Sequence, residues 1–190
     1  MTETIDWTPK ARAILGAATE LFYAHGIHAV GVEAVAERAG VTKKTLYDRF
    51  GSKERLVVAY LTERDRQWRV YLEERLAAAG DDPAARLAVI FDAAADWTAE
   101  RGGKGCVMIN AHAEISDPAH PAYPVIVGQK RWMLELFRVI ADDAGAEDPA
   151  AVAGDLMLLH EGTLVTAGMG VIMDPFAAGR IAALARLARA

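Results

Sequence analysis

Hydrophobic residues along the chain recur at helical spacing, with almost no alternation of the kind a strand needs. Ala11, Ile14, Leu15, Ala18, Leu21, Phe22 and His25 follow the i, i+3, i+4, i+7 rule and predict a helix over about 9–25, stopped by Gly26. Val32, Val35, Ala36 and Ala39 predict a short second helix over 32–39, with Gly31 in the cap position and Gly40 ending it. Thr42 caps a third over 43–50, in which Leu46 and Phe50 share the inward face. Ser52 caps a fourth that continues to about Ala78. Further on, the pairs Asp82-Pro83, Asp148-Pro149 and Asp174-Pro175 repeat the Thr8-Pro9 signal, a capping side chain before a proline at the first helical position. The last two helices are expected over about 149–173 and 175–189. The fold class is all-α, with a helix-turn-helix unit in residues 1–55 and a larger helical unit in residues 56–190.

A helix-turn-helix raises the question of what its second helix displays. With Leu46 and Phe50 inward, Lys44 and Asp48 point outward, and Thr45 and Tyr47 flank them. Thr42 and Lys43 lie at the N-terminus of that helix, where free N–H groups and the helix dipole suit a phosphate. Lys53 opens the next helix and is placed for a second one. An ordinary solvated face would show similar residues, so charge alone does not decide. The one awkward carboxylate, Asp48, would either pair with Lys44 at i, i+4, which is the expectation, or accept from a cytosine amino group.

Bulk charge agrees with a local rather than a global polyanion footprint. The 190 residues carry a net charge of −5, but residues 1–55 hold 8 Lys/Arg against 7 Asp/Glu and the remainder 13 against 19. Hydrophobic residues make up 53% of the chain, enough for a real core. Cys106 is the only cysteine, so an intrachain disulfide is excluded, which suits a reducing cytoplasm. The acidic start MTETIDW does not read as a signal peptide, and the apolar run 162–173 is too short to span a bilayer. A cytoplasmic location is therefore expected.

The segment from Ala17 to Val57 reads AAxxLFxxHGxxxxxVxxVAxxAGVTxxTLYxRFxSKxxLV. In this fixed register it resembles the TetR (tetracycline-repressor-like) family of transcriptional regulators, over about a quarter of the chain. Gly31 departs from the usual Thr or Ser cap, and Lys44 stands where a small residue is common. The resemblance implies that Thr42, Lys43, Lys44, Thr45, Tyr47 and Lys53 meet double-stranded operator DNA. Lys44 and Thr45 would lie near base edges, the others on phosphates. It also implies a homodimer and a helical region that holds a small-molecule effector, with repression as the usual sense. The segment GCVMINAHAEISDPAHP is similar to one found in a broad subgroup.

Two sets of residues follow for the larger unit. Trp97, Met108, Trp132, Met133 and Phe137, with Asn110, His112 and His160 as sparse polar partners, could line an adaptable apolar pocket. Leu156, Leu159, Thr163, Gly168 and Gly170 fall near one face of the penultimate helix and carry the dimer expectation. Cys106, Asn110, His112, Glu114, His120 and His160 also invite enzyme or metal readings. His112 and Glu114 are two apart and do not share a helix face, so a zinc pair is a poor reading. No cofactor, metal or catalytic residue is expected. Cys106 as a redox sensor has only Lys104 nearby in sequence. The rivals to a DNA-binding regulator are a small-molecule binding protein with a vestigial head and a helical enzyme using Cys106, His112 or Glu114.

Overall fold

A computed structural model describes residues 5–189, and among them are nine α-helices and no strand. These are α1 (Pro9–His25), α2 (Val32–Arg38), α3 (Lys43–Phe50), α4 (Lys53–Ala79), α5 (Pro83–Arg101), α6 (Val107–Glu114), α7 (Tyr123–Asp143), α8 (Pro149–Met169) and α9 (Pro175–Leu187). Every side-chain cap read from the sequence is made, while Gly31 before α2 has no side chain to make one. Thr8 Oγ1 accepts from the Ala11 amide at 3.2 Å, and the carboxylates of Asp82, Asp148 and Asp174 accept from the amides three residues on, at 2.8, 3.0 and 3.0 Å. Ser52 Oγ does the same for Arg55 at 3.2 Å. Each satisfies an amide that the first helical turn leaves without a partner.

The helix ends differ from expectation chiefly in α8. The 149–173 pattern is cut at Met169 because Gly170 takes the left-handed conformation, φ +66°, and closes the helix. Val171, Ile172 and Met173, counted as helix from their hydrophobicity, lie exposed in the turn before Asp174. At the first helix, His25 is exposed rather than part of the buried stripe.

The chain folds into two compact units, and they are not the contiguous halves 1–55 and 56–190. Among the described residues, the first comprises 5–65 with 107–127, the second 66–106 with 128–189. The long helix α4 runs through the expected boundary, and α6 joins the first unit.

In the first unit, Ala11, Ile14, Leu15, Ala18 and Phe22 of α1 are buried together with Val32, Val35 and Ala36 of α2 and Leu46 and Phe50 of α3. An eight-residue helix is not stable alone in water. Complete burial of Leu46 and Phe50, worth roughly 1.5–3 kcal/mol for each such side chain, holds α3 in place and turns its other face to solvent. In the second unit the core comprises Leu72, Leu87, Ile90, Phe91, Met133, Phe137, Ile140, Val152, Leu156 and Leu187, among others. Helix α9 closes on α8 at Gly179, where an added Cβ would lie 2.1 Å from Thr163 Oγ1.

Candidate nucleic-acid interface

Helix α3 is presented as the sequence pattern requires. Thr42 Oγ1 accepts from the Thr45 amide at 3.1 Å and lies 3.0 Å from Thr45 Oγ1, so the two hydroxyls fix the helix start. Lys44 and Asp48 are exposed, and Tyr47 is 40% exposed despite its ring, an unusual position for a large aromatic with no surface to cover. The expected Lys44–Asp48 pair is not formed, so Lys44 is not held on its own helix.

The other lysines are already engaged. Lys43 Nζ donates to Glu33 Oε1 of α2. That hydrogen bond raises the Lys43 pKa above its ordinary value and lowers that of Glu33. Its ammonium also sits 5.9 Å from the Tyr47 ring centre. Lys53 Nζ reaches the carbonyl of His28 at 3.4 Å. A phosphate at the α3 N-terminus must therefore compete with Glu33 for Lys43. Glu33→Gln is expected to raise affinity for duplex of any sequence a few-fold and to steepen the salt dependence by about one counterion. Titration of the variant at several salt concentrations checks this, and an unchanged slope would remove Lys43 from the interface.

A brace missed by the sequence reading holds this head together. Glu114, at the end of α6, accepts from the amides of Ile27 at 2.9 Å and His28 at 2.6 Å. Gly26, at φ +91°, makes room for it, since a Cβ there would lie 3.1 Å from Glu114 Oε1. The carboxylate that looked like a metal or catalytic candidate satisfies the backbone that joins α1 to α2. In the sequence it was marked by residue type and by the family-like segment around it, GCVMINAHAEISDPAHP, but not by its partners.

The residues grouped as an effector pocket are divided. Met108, Asn110 and His112 belong to α6 in the first unit, where Met108 is buried, Asn110 and His112 are exposed, and His112 sits 6.0 Å from the Tyr123 ring. In the second unit, Met133 and Phe137 are fully buried in one core. His160 lies edge-on to Phe91 and Phe137, each 5.7 Å away. Trp97 packs on Tyr71 and Trp68 at 4.9 and 5.4 Å, and Trp132 lies under the Arg69 guanidinium at 4.4 Å. Residue type had chosen these side chains, and no spacing in the sequence tied α6 to the others. Both His160 ring nitrogens lack a hydrogen-bond partner although the residue is 3% exposed.

Next to His160, Glu161 Oε1 and Oε2 accept from Lys130 Nζ of α7 at 2.8 and 2.9 Å, and the same ammonium lies 3.2 Å from Cys106 Sγ. Burial acts against both charges. For Lys130, Cys106 and Glu161 outweigh burial and hold the pKa above its ordinary value; for Glu161, His160 and Lys130 outweigh it and hold the pKa below. Lys130 of α7, 24 residues away in sequence, is therefore a cation beside Cys106.

The dimer set also needs correction. Leu156 and Thr163 are buried inside their own chain, Leu159 is half-buried against the same core, and Gly170 serves as the α8 cap. Gly168 is small for an internal reason, because a Cβ there would lie 3.1 Å from the Gly105 amide nitrogen. A stripe of apolar and small residues on one helix face faced the monomer core. The exposed apolar side chains of α8 and α9 are instead Leu158, Val165, Met169 and Ile181.

A capped and anchored α3 following the short α2, with Lys44 and Tyr47 free to face a groove, defines a helix-turn-helix regulatory protein. The model of the tetR family of bacterial regulatory proteins matches residues 14–60. A TetR-type transcriptional regulator from Streptomyces avermitilis, sav143, is 30% identical, with a TM-score of 0.77 over 93% of this chain and 98% of that one. The regulator SCO4454 from Streptomyces coelicolor is 28% identical, with a TM-score of 0.83 over 97% and 96%. FasR of Mycolicibacterium smegmatis, an HTH-type transcriptional activator, is 31% identical over 134 residues, which are 70% of this chain and 60% of FasR. The chain belongs to the TetR family of DNA-binding transcriptional regulators. Among the described residues no helix is long and apolar enough to cross a membrane.

Proposed function

We propose that the protein is a cytoplasmic homodimer that represses transcription from an operator and leaves it when a small molecule binds the second unit. The observation that carries this reading is the α3 surface. Lys44 and Tyr47 are exposed on a helix whose opposite face is fully buried, and Thr42 fixes its start. A vestigial head would have no need of such a display. Dimerisation through the exposed Leu158, Val165 and Met169 of α8 and Ile181 of α9 would cover surface that is otherwise costly in water. It would set two heads on a two-fold operator, about 34–36 Å or a multiple apart. An effector with an apolar body would pack near Met133 and Phe137 and give His160 a hydrogen-bond partner.

Selection of bound duplexes from a random pool tests the reading. A palindromic site bound in a salt-dependent manner supports it; retention of no duplex above background would leave the rival, a small-molecule binding protein. Because FasR is named an activator, the sense is read with a reporter carrying the selected site, and raised expression on adding the protein would overturn repression. Lys53→Ala should weaken binding to all sequences alike and reduce the salt slope by about one. Lys44→Ala should cost about 1–3 kcal/mol on the selected site and relax one base position. An equal loss on random duplex would make Lys44 a phosphate contact only.

A further inference from the structure

We infer that Asp48 is a specificity-determining residue: its carboxylate accepts from the amino group of one operator cytosine and turns away bases that offer only acceptors. This role rests on the proposed contact between α3 and DNA. Asp48 is two residues from Leu46 and two from Phe50, both fully buried. At about 100° per residue it stands about 160° from each, so it lies almost opposite the anchored face. Lys44, two residues before Leu46, shares this outward pole, and both side chains are exposed.

The polar side chains around them are committed inside the protein. Lys43 donates to Glu33, the Thr45 hydroxyl lies 3.0 Å from that of Thr42, and Arg49 donates to Asp6 at 3.1 Å. Among the described residues Lys44 and Asp48 have no such partner, not even each other. Their placement does nothing for the helix either. Lys44 falls in the first turn of α3 and Asp48 in the last. The helix dipole favours the reverse, an acid near the N-terminus and a base near the C-terminus. A lysine four residues before an acid is also the weaker order for an ion pair. Neither charge is explained by the stability of α3, which leaves what the face meets.

Base edges supply the missing partners. An ionised carboxylate only accepts, and an ammonium only donates. In the major groove cytosine offers an amino donor, whereas guanine offers N7 and O6 and thymine offers O4, acceptors that repel a carboxylate. Adenine has an amino group, but its N7 acceptor lies beside it. Cytosine is thus the base that suits Asp48, and guanine the base that suits Lys44. Four residues along a helix cover about 6 Å, and base pairs stack about 3.4 Å apart, so the two contacts fall within two base pairs of each other. The two charges cancel, and this pole adds little to the attraction for phosphate. It selects among sequences instead, by repulsion as much as by attraction. A correct contact of this kind is worth about 5–150-fold in affinity over a wrong base.

The test is selection from a random duplex pool with the full wild-type chain, Asp48→Asn and Asp48→Ala, with Lys53→Ala alongside. The wild-type half-site should contain a fixed cytosine. In Asp48→Asn that position should become adenine, because an amide donates to N7 while it accepts from N6. Asp48→Ala should take any base there, and the position relaxed by Lys44→Ala should be a guanine within two base pairs. Replacing the cytosine of the selected duplex by 2-pyrimidinone, which lacks the amino group, should weaken wild-type binding about fivefold or more and leave Asp48→Ala unaffected. The role is overturned if the wild type and both Asp48 variants select the same site. It is equally overturned if the two variants only raise affinity for every duplex alike, the mark of a carboxylate beside phosphate. Should Lys53→Ala weaken every duplex in that case, α3 still meets DNA and Asp48 reads no base. Selection of no duplex by the wild-type protein overturns both the contact and the role.

Discussion

Gly179→Ala should destabilise the protein, although alanine is the better helix former. Replacing a helical glycine normally gains about 1 kcal/mol. Here the new methyl would lie 2.1 Å from Thr163 Oγ1 and 3.1 Å from Phe91. Neither neighbour can easily yield, since Thr163 Oγ1 donates to the Leu159 carbonyl at 2.8 Å and Phe91 is fully buried. Overpacking of this kind costs about 1–3 kcal/mol. Thr163→Ala removes the closest atom, so the double variant should recover part of the loss, with a coupling of about 0.5–3 kcal/mol in a double-mutant cycle. Denaturant unfolding of the four proteins measures it. Additive effects would mean that α9 does not approach α8 at this point.

Glu114→Ala should loosen the head without touching the α3 surface. The substitution leaves the amides of Ile27 and His28 without their acceptor, and Ile27 is 5% exposed, so water replaces the lost partner poorly. Hydrogen bonds to a charged group contribute about 1.5–3 kcal/mol, and that is the expected loss. Hydrogen exchange at Ile27 and His28 should accelerate, and duplex affinity should fall with the head's stability. Glu114→Gln keeps one carbonyl oxygen and should fall between the two. If exchange at both amides is unchanged in the alanine variant, the brace is not a source of stability.

Local rules made the first unit readable. Helix starts are decided within four residues by a cap, joined by a proline in α1, α5, α8 and α9, so the boundaries of these four and of α3 could be read at their N-terminal ends. The buried face of α3 followed from Leu46 and Phe50 alone, and the lysines on the other face followed from that. The second unit was less legible because helical spacing reveals that a face is apolar but not what covers it. Leu156 and Thr163 belong to the core for that reason, while Leu158, one residue before Leu159 of the chosen stripe, and Val165, two after Thr163, carry the exposed face. Val171–Met173 looked helical by composition, and a single left-handed glycine ended the helix before them. Pairings between distant residues, Glu114 with Ile27 and Lys130 with Cys106, left no periodic trace at all.

The brace at Glu114 also bears on the order in which the protein is made. The amides it binds lie 87 and 86 residues earlier in the chain. A ribosome finishes α1, α2 and α3 and then makes all of α4 and α5 before this carboxylate exists. At typical elongation rates of about 5–20 residues per second, the nascent head spends several seconds without it. During synthesis the head can assemble its small core but not its final backbone pairing. A ribosome-stalled chain ending soon after α4 should accordingly present a more protease-sensitive 26–31 loop than one long enough to expose α6, and in Glu114→Ala that difference should shrink.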